Sequence, residues 1–219
     1  MSSAAAPSSP RRRGSVRLIG WGLAALVVIA IALDTTYKDP DFKVTAGGRP
    51  AFNPDQYGRQ TYPKAVAALE KSAQPLPSLA AALQKDADAA GAKFGHRAGN
   101  GPYSFAVRGD GVAGKVKNGV MPVKVNGVPK GTTVAIQTGP ALPGTAVRDA
   151  VGFIQFGQFL NQVEFADAAT ALNNQIKAQV LKKLDPQSLL GKRIRFLGAF
   201  TNLAPTVITV TPVQVEAAS

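Results

Sequence analysis

The sequence predicts an α+β fold: an antiparallel β-barrel with one long helix between its third and fourth strands, preceded by short helices and one N-terminal transmembrane helix. Three observations carry this expectation. Apolar and polar residues alternate with a period of two in separate stretches between Tyr103 and Val215. Asn118-Gly119 and Asn126-Gly127 punctuate those stretches as hairpin turns do. Apolar residues at helical spacing, Phe165, Ala169, Leu172, Ile176 and Val180, fall after the third stretch and before the fourth.

Residues 1–17 are rich in Ser, Ala, Pro and Arg and read as a disordered cytoplasmic tail. Leu18 to Leu33 is a run of sixteen uncharged residues, all apolar or Gly, flanked by Arg17 before and Asp34 after. A full span takes about 20 residues and at the least about 17. With Arg17 snorkelling at one end and Thr35, Thr36 and Tyr37 in the far interface, 18–34 reads as a transmembrane signal anchor. Arg11, Arg12, Arg13 and Arg17 precede the helix, so the positive-inside rule predicts a single-pass protein of the cytoplasmic membrane with the bulk of the chain in the periplasm. Two alternatives stand beside the anchor. Ala30-Ile31-Ala32 fits a cleaved signal peptide, although it lies inside the apolar run, and a buried core helix fits less well with the arginine cluster.

Residues 35–61 hold Asp, Gly, Pro and Asn without clear periodicity and read as an extended linker, leaving 62–219 as the exported domain. Tyr62 to Lys71 suits a short helix with Pro63 in its first turn, and Pro75 and Pro77 interrupt it. Ser78 is a candidate N-cap for a second helix, running to about Ala90 and ended by Gly91. Residues 95–102 read as a loop. The first strand stretch begins at Tyr103 and continues through Val112–Lys117, with the glycines of GDGVAG (109–114) as a turn or bulge. Met121–Val125 and Thr133–Gln137 follow.

The segment 145–184 reads as helical, with a break near Gly152 or Gly157. Lys192–Phe200 and Thr206–Val215 close the chain. In the first of these Ile194 and Phe196 point inward; in the second Pro212 marks an edge or a bulge. Three strands, a long helix and two more strands is the order of an OB-like barrel; an open sheet packed on one long helix is the alternative.

Composition excludes several chemistries. The chain of 219 residues carries a formal charge of +12, one histidine and no cysteine. Disulfides, thiol catalysis and acylation of a lipobox cysteine have no residue to use. His96 lies in a Gly-rich loop and reads as solvated, and neither Ser104 nor Ser188 has another obvious base partner, so no enzyme activity is expected. One histidine without cysteine does not make a transition-metal site, and Asp86 and Asp88 read as a solvated helix face, so no cofactor is expected. GDGVAG has dinucleotide-binding spacing, but a strand rather than a helix follows it. Export argues against nucleic acid as a partner.

The densest polar pattern is 137–165, QTGPALPGTAVRDAVGFIQFGQFLNQVEF. Gly139, Pro140 and Gly144 shape a loop before a helix N-terminus, which suits an anion. Arg148 and Asp149 stand in the first turns; Asn161 and Gln162 both donate and accept. These four are the candidate ligand-binding residues. A shared site requires the break to fold Arg148 near Asn161 or Gln162, because on one continuous helix 148 and 162 lie roughly 21 Å apart. The alternative is an Arg148–Asp149 structural network with the phenylalanines packed on the sheet.

The stretch IQTGPALPGTAVRDAVGFIQFGQFLNQVEFA (136–166), with GKRIRFLGAF (191–200) and ITVTPVQV (208–215), resembles a bacterial family of unknown function, the predicted periplasmic lipoproteins. The resemblance covers most of 20–215, and members of that family are often encoded beside sugar ABC transporters. It implies a membrane-anchored periplasmic binding or accessory protein whose partners are sugar ABC transporter components or a small polar ligand. A structural envelope protein that binds another protein without a small ligand is the competing expectation. The missing cysteine departs from the lipoprotein pattern and leaves the 18–34 helix to serve as anchor.

Overall fold

The computed structural model describes residues 51–204 and 206–218. The tail, the 18–34 helix and most of the 35–61 linker lie outside the described residues. Among the described residues no helix is long and apolar enough to cross a membrane.

Helix α1 spans Pro54–Ser72, beginning eight residues before the expected start at Tyr62, inside the stretch read as linker. The start is written in capping chemistry rather than apolar period. The Asn53 side chain accepts from the Gln56 amide, Pro54 stands at the first helical position, and Asp55 favours the positive end of the dipole. Pro63 lies inside α1 rather than in its first turn. At Gly58 a Cβ would stand 2.9 Å from the Ala171 carbonyl oxygen, so this glycine lets α1 close on the long helix.

A two-residue strand β1 (Gln74–Pro75) leads to α2 (Leu76–Lys85) and α3 (Ala87–Phe94), where the sequence suggested one helix over 78–90. The division falls at Asp86, whose carboxylate accepts from the Ala89 amide and caps α3. Gly91 does not end a helix: it sits within α3, where a side chain would run into the Tyr103 ring. The short strand β2 (Gly95–His96) then pairs with the start of β3, so His96 stands on a sheet edge rather than in a loop.

The barrel strands are β3 (Ser104–Ala113), β4 (Val120–Lys124), β5 (Thr133–Gln137), β6 (Arg193–Thr201) and β7 (Val207–Ala217). They pair in the order β3-β4-β5-β7-β6, and β6 returns to β3 through nine residue pairs from Ser104↔Thr201 to Val112↔Arg193. The barrel is therefore closed, with three strands before the long helix and two after it as the sequence predicts, but it is not wholly antiparallel: β5 and β7 run parallel, Thr133 opposite Val207. A ring of five strands cannot alternate direction all the way round, so one neighbouring pair has to be parallel.

Residues 109–113 of GDGVAG form neither turn nor bulge, because β3 runs through them, in unbroken register with β6 as far as Val112. A Cβ on Gly109 would stand 2.7 Å from the Phe196 ring, and one on Gly111 2.5 Å from the Lys124 carbonyl oxygen. The glycines admit close neighbours where the sheet curls. Asn118 and Gly119 both have positive φ, 52° and 74°, as a type I′ hairpin requires. Opposite Pro212 the expected bulge is present: Leu197 pairs with Gln214 and Gly198 with Pro212, leaving Val213 extra.

Two apolar cores follow from the alternation. Inside the barrel lie Phe105, Val107, Met121, Ile136, Ile194 and Phe196, capped by Leu76, Leu79 and Leu83 of α2. Outside it, Ala106, Leu197, Ala199 and Val213 face Leu69 of α1 and Leu172 and Ile176 of the long helix. Burial of both faces of β6 explains why only its first residues show the polar-out pattern.

Candidate functional site

The segment 137–165 leaves the barrel at Gln137. Its first residues are fastened to the β3–β4 turn, where the Thr138 and Gly139 amides both donate to the Gly119 carbonyl at 2.8 Å. A one-turn helix α4 (Ala146–Ala150) follows, then a 3-10 turn at Phe156–Gln158, then the long helix α5 (Gln162–Gln179). The predicted break is present. Gly152 makes it, with φ of +73° and no room for a Cβ, which would stand 2.7 Å from the His96 ring. The helical stretch expected over 145–184 is thus three pieces, and a further 3-10 turn at Leu181–Lys183 follows α5.

The break brings Arg148 to the first turns of α5, but not to the expected partners. Arg148 Nη1 donates to the Phe165 carbonyl at 2.9 Å, and the guanidinium lies 3.6 Å over the Phe165 ring. Its Nε donates to Asp149 Oδ1 at 2.8 Å, with Nη2 at 2.7 Å from the same oxygen. The other carboxylate oxygen of Asp149 accepts from the Thr145 hydroxyl at 2.6 Å. Arg148 is 6% exposed. The pair is a buried clasp between α4 and α5, as the Arg148–Asp149 network of the structural alternative has it; the phenylalanines depart from that alternative, because Phe153 and Phe156 are exposed rather than packed on the sheet. Its carboxylate also occupies the turn where an anion was expected, and α4 is too short to build a strong dipole.

Asn161 and Gln162 stand apart from that clasp. Asn161 is the N-cap of α5, its Oδ1 accepting from the Glu164 amide at 2.9 Å, while Glu164 Oε2 accepts from the Leu160 amide. Gln162 is exposed at the first helical position. The structure does not gather the four candidate residues into one pocket. Nor is any buried side-chain nitrogen or oxygen among the described residues left without a hydrogen-bond partner.

Three features were not singled out from the sequence. Asn173, buried on α5, donates to the Leu142 and Gly144 carbonyls at 3.1 and 3.0 Å and holds the loop down. A concavity of about 280 Å³ opens beside β7, lined by the uncharged polar side chains of Gln137, Thr145, Thr201, Thr209 and Thr211. Most of that polarity is already paired: Thr211 donates to Gln137, Ser104 shares a hydrogen bond with Thr201, and Thr145 serves Asp149. Lastly, Phe153, Phe156, Leu160 and Val163 are exposed along the loop between α4 and α5 and the start of α5. Phe156 also packs edge-on against the buried Phe165, and Phe159 packs on both Phe165 and Phe52. The phenylalanine spacing was visible in the sequence; which rings would stay exposed was not.

A family model described as predicted periplasmic lipoprotein (DUF2291) matches residues 23–216. The chain belongs to this family. Membership of a periplasmic lipoprotein family places the chain in the cell envelope, and these 219 residues contain no cysteine to acylate. No curated protein matches the chain. Among solved structures it is similar to the crystal structure of an OB-fold protein (tm0957) from Thermotoga maritima MSB8. The TM-score is 0.64 at 21% identity, over 77% of this chain and 100% of that one. That likeness bears on the fold, and it agrees with the closed five-strand ring and the helix between its third and fourth strands.

Proposed function

We propose that this family member is a non-enzymatic accessory protein of the envelope, held in the cytoplasmic membrane by the 18–34 helix, whose barrel domain works by docking rather than by enclosing a small ligand. One observation carries the reading. Of the eight large hydrophobic residues exposed among the described residues, four stand within the eleven residues Phe153–Val163, while the neighbouring polar residues Arg148 and Asp149 are already paired. An exposed apolar cluster on a soluble domain marks a contact surface. The setting drawn from the family resemblance is sugar uptake, with the tethered domain beside an ABC transporter.

The uncharged concavity by Gln137, Thr209 and Thr211 favours a second reading, a neutral polyhydroxylated ligand. The two readings separate in one set of measurements on the full chain. A reporter active only outside the cytoplasm, fused after Ser219, should work, and the protein should pellet with membranes through a salt wash. Saccharides should leave the melting temperature unchanged. A saccharide that raised it, with the rise lost in Gln137→Ala, would replace docking with ligand binding, since ligand at about 100 times its Kd adds about 2.7 kcal/mol.

A further inference from the structure

We infer that the exposed face of Phe153, Phe156, Leu160 and Val163 docks on the outer leaflet of the cytoplasmic membrane, with anionic phospholipid as its partner. The inference rests on the export reading above and names the surface that the docking face meets.

Four observations point to lipid. First, the face is apolar and aromatic, and it stands on a stiff base in which Phe156 and Phe159 pack on Phe165. Phenyl and branched aliphatic side chains presented together suit the boundary between headgroups and acyl chains. Second, the loop carries its own hydrogen bonds. Gln155 Nε2 donates to the Gly152 carbonyl, Gln158 Nε2 to the Phe153 carbonyl, and Gln158 Oε1 and Glu164 Oε2 accept from the Gln155 and Leu160 amides. A backbone that enters a region poor in water needs its polar groups paired beforehand.

Third, the described part of the chain enters at this face: Phe52 packs on Phe159 with ring centroids 5.6 Å apart, and only residues 35–51 separate it from the apolar run 18–34. Seventeen residues reach at most about 60 Å when fully extended. The domain is thus confined near the bilayer, but its orientation has to come from its own side chains. Fourth, residues 51–218 hold eighteen Lys and Arg against ten Asp and Glu, a balance of +8 that draws the domain toward an anionic leaflet.

The face lies at one end of the barrel. Gly152 packs on His96, which pairs with Ser104 at the start of β3, whereas the Gly191 amide donates to Ala113 at its far end. Leu190, also exposed, therefore stands roughly 30 Å from the docking end along β3.

The absence of native cysteine makes the test clean, because Val163→Cys or Leu190→Cys introduces a single thiol for a nitroxide label. The full chain is reconstituted in vesicles of equimolar phosphatidylcholine and phosphatidylglycerol, and the label's collisions with oxygen and with a water-soluble nickel complex are compared. The expected result is a label at 163 several-fold more accessible to oxygen than to nickel, with the opposite at 190. Adding Phe153→Ser and Leu160→Ser should return the 163 label to water with little change in melting temperature, since both side chains are exposed and neither belongs to the packing of Phe156 and Phe159 on Phe165. A 163 label as aqueous as the 190 label overturns the inference. So does a 163 label shielded from both reagents, which would mean a protein partner or a second copy covers the face. The salt-wash fraction reads the tether and the label reads the face, so failure of the anchor and failure of the docking face are told apart.

Discussion

The guanidinium of Arg148 lies over the ring of Phe165 and donates a hydrogen bond to the carbonyl of the same residue. Seventeen positions separate the two in the chain, and the contact exists because Gly152 turns the backbone between them. Arg148 thereby joins a one-turn helix, too short to be stable alone, to the first turns of α5. Lysine keeps the charge but loses the planar fork that serves Asp149 and Phe165 together. Arg148→Lys should therefore destabilise the fold by about 2–3 kcal/mol. Denaturant unfolding should show a lower midpoint at unchanged slope, and a midpoint within error of the parent would remove the clasp from the account of stability.

Gly152 should tolerate no side chain. Its φ of +73° costs a residue with a Cβ roughly 1–2 kcal/mol, and the Cβ would also meet the His96 ring. Gly152→Ala should lose about that strain plus the cost of displacing the imidazole. In the His96→Ala background the same substitution should lose only the backbone part, so a double-mutant cycle measures the contact between the residues. Equal losses in both backgrounds would show that His96 yields freely.

The order of strands and helix along the chain was legible because alternation and the Asn118-Gly119 turn are local signals; Asn126-Gly127 instead lies in an eight-residue connection, 125–132, and not in a two-residue hairpin. The parallel pairing of β5 with β7 was implicit in the same count, since five strands in a ring cannot all alternate. The start of α1 was missed because PDQYGRQT has little apolar period; Asn53 and Pro54 mark it instead. In the candidate site the break at Gly152 was readable from the glycine, and the Arg148–Asp149 pairing from adjacency. The partner Phe165 was not, because a carbonyl acceptor has no side-chain signature. Asn161 looked like a ligand residue for a related reason: an N-cap asparagine and a sugar-reading asparagine have the same chemistry until the backbone is placed.

Asn173 is the buried amide that holds the loop before α4. It is 7% exposed and donates to two carbonyls, Leu142 and Gly144. Asn173→Ala leaves both acceptors short of a donor in a site that water reaches poorly, at a cost of about 2–3 kcal/mol. Because those carbonyls belong to the loop rather than the barrel, amide exchange should quicken first in 138–146 and leave β3 and β6 protected. Uniform loss of protection would show instead that the loop and barrel open as one unit.

Tyr62 gives the fold an alkaline limit. Its side chain is buried between α1 and the outer core, and desolvation pushes the phenol from 10.0 up to about 12. The neutral form is the one the folded state keeps, so the linkage runs in one direction. Below pH 10 both folded and unfolded chains hold the proton and stability is unaffected. Between pH 10 and about 12 the unfolded chain releases it while the folded chain does not, and stability falls as pH rises; above about 12 the loss is complete. At about 1.4 kcal/mol per unit the loss is at most about 3 kcal/mol, and solvent in the open groove that Tyr62 lines with Pro63 and Val66 lowers it. The measurement is a difference: unfolding free energy against pH for the parent and for Tyr62→Phe. Phenylalanine cannot ionise and fits the same space, so the variant should match the parent's slope below pH 10 and lose less stability above it. Parallel curves through pH 12 would mean that the Tyr62 hydroxyl reaches water in the folded protein.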